Sequence, residues 1–252
     1  MLKLFGLLSR IRLARGTELA SAARMQSLFP LAGAVLGAIV AFATFLIFEI
    51  LGDEISSLTV ALIGVLVLYF TYGIMHLEGL ADFGDGLMAS GDTSRKRSAM
   101  KDVSVGAAGC FFMVVDLLLL VVLINELLGR EGPILAIGMH IPLIFGLIVA
   151  EISAKLSMIT VMFMGPSSHE GMGAVFVSQS SSRRYAAGVL ISILLSFLVV
   201  GLYFPIILVG VFSGAFIARI ARRHFGGVGG DAFGAANELG RLAALLILVL
   251  VI

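Results

Sequence analysis

The chain has 252 residues, 60% of them hydrophobic and 13% charged, with 17 Lys and Arg against 16 Asp and Glu for a formal net charge of +1. A mean hydropathy of +1.11 excludes a soluble domain with a polar surface, and the near-neutral balance gives no basis for a nucleic-acid partner. The single cysteine, Cys110 in an apolar stretch, excludes a disulfide framework and a thiolate metal site and is expected to pack in the core.

The composition predicts an all-α fold, a polytopic transmembrane helical bundle forming a single integral membrane domain over 1–252. Residues 1–28 carry Lys3, Arg10, Arg12, Arg15 and Arg24 throughout instead of ahead of one apolar block, which predicts an amphipathic segment on the cytoplasmic leaflet and not a cleaved signal peptide. A crossing helix needs about 20 apolar residues, so spans are expected at 29–51, 58–75, 106–128, 134–164, 185–201 and 203–218, with a shorter one at 241–252 whose helix begins near Asp231. The 134–164 stretch is too long for a simple span and holds His140, Pro142, Glu151 and Lys155, so it is expected to bend or to leave the bilayer. Glu151 and Lys155 stand at i and i+4 and can pair, whereas Asp116 inside its span needs a polar partner. Seven crossings from a cytoplasmic N-terminus put 76–105, 151–184 and 219–240 on the cytoplasmic side. Sixteen of the seventeen basic residues then lie inside or at the inner boundary, with Arg130 alone outside, as the positive-inside rule requires.

Directly after the second span, Glu78, Asp82 and Asp85 recur at i, i+4 and i+7, about 0°, 40° and 340° around a helix, a single stripe. Three carboxylates on one stripe repel unless a cation joins them. Hard oxygen donors without cysteine favour Mg²⁺, with Mn²⁺ as the alternative, usually completed by substrate phosphates. His76 on the opposite face either orients this site or packs at the interface. A second acidic pair, Asp231 and Glu238, again at i and i+7, follows the Gly-rich run 226–230. That run reads either as a linker or, through Gly229 and Gly230, as a presenter of backbone amides to a phosphate at the next helix N-terminus. Between the two lie Arg95, Lys96, Arg97 and Lys101, then Arg183 and Arg184, then Arg219, Arg222 and Arg223. Each is an inner-face anchor or part of a polyphosphate clamp. Asp102 is a further ligand, a helix cap or both, and His169–Gly173 is a loop over the site or an ordinary turn.

The run His76-Leu77-Glu78-Gly79-Leu80-Ala81-Asp82-Phe83-Gly84-Asp85-Gly86, then Met100-Lys101-Asp102 with Gly106, then Gly229-Gly230-Asp231 with Gly234, Ala235, Glu238, Leu239 and Gly240, resembles the cobalamin synthase (adenosylcobinamide-GDP ribazoletransferase) family across most of the chain. The resemblance implies a membrane transferase of late coenzyme B12 assembly. It would join adenosylcobinamide-GDP to α-ribazole or its 5′-phosphate, release GMP and require Mg²⁺. Three departures stand out. Glu78 replaces an Asp common in the family, Glu151 aligns where many relatives carry Arg, and Asp102-Val103-Ser104-Val105-Gly106 lacks a usual basic residue.

Phosphoryl transfer needs charge neutralisation, an in-line nucleophile and a base. Combined with the resemblance, this assigns metal ligands to Glu78, Asp82, Asp102, Asp231 and Glu238, and catalysis to Asp85 as base with Asp82. Phosphate or nucleotide binding falls to Lys101, Arg183, Arg184, Gly229 and Gly230. The expected surroundings are the lipid bilayer of the cell membrane and the two small-molecule substrates, without nucleic acid. A homo-oligomer or a complex with other B12-assembly enzymes is left open. A CDP-alcohol phosphotransferase is the nearest rival, but Asp85-Gly86 lacks the Ala-Arg and second half of that motif. A cation-coupled transporter would instead place its carboxylates near the midplane.

Overall fold

With no water in the hydrocarbon to satisfy backbone amides, apolar runs of this length close their hydrogen bonds as helices. The structure, a computed structural model, describes Gly6, Leu8, Ser9 and residues 19–130 and 141–251, all of whose extended elements are helical. In chain order they are α1 Leu19–Arg24, α2 Phe29–Leu51, α3 Ser57–Tyr72, α4 Met75–Met88, α5 Thr93–Met100, α6 Ala107–Leu128, α7 Ile141–Met164, α8 Met172–Ser178, α9 Ser182–Val200, α10 Leu208–Phe225 and α11 Gly230–Val251. Short 3₁₀ turns cover Gln26–Leu28 and Gly201–Ile207. Most of the expected interfacial segment 1–28, and the start of the 134–164 span with His140, lie outside the described residues.

Five helical runs are long and apolar enough to cross a membrane, six when the bent pair α3 and α4 is taken as one span. One of the five is the 44-residue stretch Ser182–Phe225, which as a single helix would extend about 66 Å, twice the hydrocarbon thickness. It breaks at Gly201, φ 57°, and through the turn holding Pro205. Counting α9 and α10 separately recovers the seven crossings expected.

The helix at the centre is α7, whose Val149, Ala150, Ile152, Ala154, Leu156 and Val161 are all fully buried. Its neighbours approach through small residues, the usual device where lipid supplies no hydrophobic drive between helices. A Cβ on Gly33 of α2 would lie 2.6 Å from the Glu151 carbonyl oxygen, and one on Gly210 of α10 2.4 Å from that of Ser153. Outward faces remain apolar, as at Phe42, Phe70, Leu198 and Leu250, and Cys110, expected in the core, lies exposed on α6.

Two boundaries shape the site, the first differing from expectation and the second agreeing with it. The second span ends at Tyr72, because Gly73 adopts φ 80° and α4 leaves α3 at 96°. The acidic stripe is therefore carried off the spanning axis. The last helix begins at Gly230, so Asp231 sits in its first turn while Glu238 is two turns deeper.

Candidate active site

Helices α4 and α11 cross where neither has a side chain. A Cβ on Gly79 would meet the Asp231 Cα and carbonyl oxygen at 3.2 Å, and one on Gly234 would meet the His76 carbonyl oxygen at 2.8 Å. Backbone against backbone, this crossing brings Glu78 and Asp82 from one helix and Asp231 from the other onto a common cavity of about 270 Å³. The rest of its wall is largely apolar, with Phe29, Phe176, Phe233 and four methionines among the lining residues. His76 also lines it, is 5% exposed, and has a buried Nε2 without a hydrogen-bond partner.

Among the described residues none of Glu78, Asp82 and Asp231 takes part in a salt bridge. Burial, then the charges of Asp231, Glu78 and Asp85, push the Asp82 carboxyl up to about 6 from 3.8. The folded protein thus binds a proton between those values that the unfolded chain does not. Ionised Asp82 therefore costs stability above about pH 6, and the cost is relieved as pH falls through that value. In metal-free protein, Asp82→Asn is expected to raise the apparent melting temperature at about pH 7.5 and to lose that advantage progressively as pH falls from about 6 toward 3.8. A difference that stays flat with pH would refute the like-charge crowding.

The stripe divides beyond Asp82. Asp85 turns to the start of α6, where its Oδ2 accepts from the Gly106 amide at 2.7 Å and its Oδ1 from the Gly109 amide at 2.8 Å. Both carboxylate oxygens are thus engaged in a cap contributed by another helix, one negative charge at the positive end of α6. Asp85→Asn retains a single acceptor. We expect it to destabilise the protein by about 0.5–2 kcal/mol, read as a lowered midpoint of thermal unfolding, with any loss of turnover following the folded fraction.

On the other flank of Asp231 a narrow cleft is lined by Arg97, Lys101, Ser168, His169, Gly227 and Gly229. Its floor is a pair of loops running in parallel. The Ser168 amide donates to the Val228 carbonyl at 2.9 Å and the Val228 amide to the Pro166 carbonyl at 2.8 Å. Gly227 admits no Cβ, which would lie 2.6 Å from the Pro166 oxygen, whereas the space in front of Gly230 is open. The first helical bond of α11 runs from the Phe233 amide to Gly229, leaving the amides of Gly230, Asp231 and Ala232 without intrahelical acceptors. Positive charge, free amides and Asp231 thus share one edge.

The other anticipated residues sit elsewhere. Asp102 is exposed and its Oδ1 accepts from the Ser104 amide at 2.9 Å, a local turn. Arg183 and Arg184 open α9, where Arg184 donates to the Gln179 carbonyl at 2.5 Å, and neither lines the two cavities. Glu238 is 1% exposed, bound by Arg241 and accepting from Tyr69 at 3.1 Å. Arg241 also donates to Glu151, which lies 3.8 Å from Lys155, itself donating to Asn237 at 2.6 Å. The Glu151–Lys155 pair was expected; its junction with Arg241 and Glu238 was not. An arginine inside the last apolar helix is the signal that points to it. Asp116 finds its polar partner in Tyr69, at 3.1 Å.

Among the described residues no three His, Cys, Asp or Glu side chains converge tightly enough to hold a metal by themselves. Mg²⁺ commonly takes one or two protein carboxylates and completes its shell with water and phosphate. The unpaired oxygens of Glu78, Asp82 and Asp231, beside free helix amides, fit a cation shared with a polyphosphate and not a closed protein cage.

The family model described as cobalamin-5-phosphate synthase matches residues 1–249. An adenosylcobinamide-GDP ribazoletransferase of Methanococcoides burtonii is 34% identical over 98% of this chain and 90% of its own. One of Methanocella arvoryzae is 38% identical over 73% and 72%, and one of Thermococcus kodakarensis 36% over 75% and 77%. No solved structure matches.

Proposed function

The chain belongs to the cobalamin-5-phosphate synthase family, and on that premise we propose that it joins adenosylcobinamide-GDP to α-ribazole or its 5′-phosphate, releasing GMP at the cytoplasmic face of the cell membrane. The observation that carries this reading is the convergence of Glu78, Asp82 and Asp231, from two helices distant in sequence, on one cavity beside a basic, amide-rich edge.

In the reaction the acceptor's ribosyl oxygen attacks the phosphorus that bears the cobinamide. A new P–O bond forms, the P–O bond to GMP breaks, and the hydroxyl proton must go to a base. Asp82 suits that role. It lines the cavity, and its carboxyl is pushed up to about 6, close to the pH at which it must work. Glu78 and Asp231 would hold Mg²⁺, which when bound neutralises charge on the pyrophosphate. Lys101, Arg97 and the first amides of α11 orient the departing GMP phosphate and stabilise its charge. Asp85, with both oxygens capping α6, positions this frame instead of abstracting the proton. The buried carboxylates Glu151 and Glu238 are paired with Arg241, which does not favour a role in carrying a coupling cation.

The test is incubation of purified full-length protein in lipid nanodiscs with adenosylcobinamide-GDP, α-ribazole and Mg²⁺. Stoichiometric GMP and a cobalamin product are expected. Absence of GMP with either acceptor would reject the reading.

A further inference from the structure

The cavity below the carboxylates is larger and more apolar than phosphate chemistry requires. Its wall includes Phe29, Phe176 and Phe233, with Phe176 meeting Phe29 at 6.0 Å and 63° and Phe233 at 6.4 Å and 80°. Leu8, Met75, Met158, Met162 and Met172 add to the apolar lining. Thioethers adapt to a flat ring and make favourable sulfur–aromatic contacts. We propose that this cavity receives the 5,6-dimethylbenzimidazole ring of α-ribazole, so that its methionines and phenylalanines determine which acceptor base the enzyme accepts.

The inference rests on the transferase reading and adds the acceptor's subsite to it. Three observations favour the acceptor base over the other substrate. The volume, about 270 Å³, falls just below the roughly 300–1,000 Å³ of pockets for whole drug-sized ligands. It suits a bicyclic ring and excludes a corrin. Polarity argues against guanine: with Glu78, Asp82 and Asp231 assigned to the pyrophosphate and its cation, what remains of the wall is largely apolar, and most of guanine's amide, amine, carbonyl and ring nitrogens would be buried there unpaired, each carrying a desolvation cost. The dimethylbenzimidazole ring has one free nitrogen and two methyl groups, and among the described lining residues His76 Nε2 is the one buried polar side-chain atom without a partner. Continuity supplies the third argument, because Asp82 and Asp231 line the same cavity, so a ring seated there keeps its ribose beside the carboxylates.

The experiment compares wild type, Met162→Phe and Met162→Ala in nanodiscs. Steady-state kinetics are measured with α-ribazole and with the riboside of unsubstituted benzimidazole, and α-ribazole binding by equilibrium dialysis. Narrowing with Met162→Phe is expected to raise KM for α-ribazole about tenfold or more, to raise it less for the unmethylated riboside, and to leave KM for adenosylcobinamide-GDP within about twofold. Met162→Ala should narrow the preference between the two ribosides. Met172, 57% exposed at the cavity, provides a second narrowing variant, Met172→Trp, that does not burden the interior of α7. A rise in KM for the GDP substrate, or equal effects on both ribosides, would overturn the assignment while the transferase reading stands. Wild type that binds α-ribazole but releases no GMP would reject the transferase reading and leave the subsite to be judged by the dialysis alone, where unchanged affinity in both narrowed variants rejects it.

Discussion

Asp231→Asn, in protein that inserts normally, is expected to lower GMP release roughly 10²–10³-fold, the scale on which removal of one charge-stabilising group at a phosphoryl or acyl centre is felt. Asp231 is the only carboxylate that α11 contributes to the cavity, while Glu78 and Asp82 belong to α4. Its loss should therefore appear first as a weaker Mg²⁺ response, with activity partly recovered at high metal concentration. Asp82→Asn should behave differently. If Asp82 is the base, kcat falls at every Mg²⁺ concentration and its dependence on pH between about 5 and 7 disappears. Calorimetric titration of Mg²⁺ with a non-hydrolysable GDP ester separates the two, since metal and nucleotide binding should survive in Asp82→Asn and weaken in Asp231→Asn. Near-normal turnover in both variants would mean that the crossing of α4 and α11 is not the reaction centre.

The first and third spans were legible in the sequence to within a residue, 29–51 against Phe29–Leu51 and 106–128 against Ala107–Leu128. Each is a long apolar run with a sharp polar or glycine boundary. The i, i+4, i+7 spacing of Glu78, Asp82 and Asp85 correctly identified a helix face but said nothing of what that face meets. It meets a cavity over its first turns and the α6 N-terminus at Asp85. The pair Asp231 and Glu238 misleads for a related reason. Seven residues share a face but advance about 10 Å along the axis, enough to carry the second carboxylate from the mouth of the site into the bundle. The bend at Gly73 was hidden because one glycine within an apolar run gives no sign of its φ. The close passage of Gly79 against Gly234 depends on a partner 155 residues away, which no local pattern reports.

The second large effect is expected at Arg241, well inside the bundle. Its Nε donates to Glu151 of α7 and its Nη1 to Glu238 one turn earlier on α11; the guanidinium lies 5.6 Å from the centre of the Tyr72 ring. One planar fork therefore ties α7 to α11 and faces two carboxylates, each 1% exposed. Lys155, 3.8 Å from Glu151, is a partner for one of them and not for both. Arg241→Met leaves Glu238 without a cation and should destabilise the protein by about 3–5 kcal/mol, the usual cost of breaking a buried pair from one side. Arg241→Lys should recover only part of this, because a single ammonium cannot reproduce the two-sided fork. Neutralising the acids as well, in Glu151→Gln/Glu238→Gln/Arg241→Met, should restore most of the stability, since it is the uncompensated charge that is penalised and not the absence of the bridge. Thermal unfolding in detergent across these variants measures the sequence. If GMP release follows the folded fraction and returns in the triple variant, the network holds α11, and with it Asp231, against α7. A triple variant that folds like wild type yet releases no GMP would instead place one of these three groups in the chemistry itself.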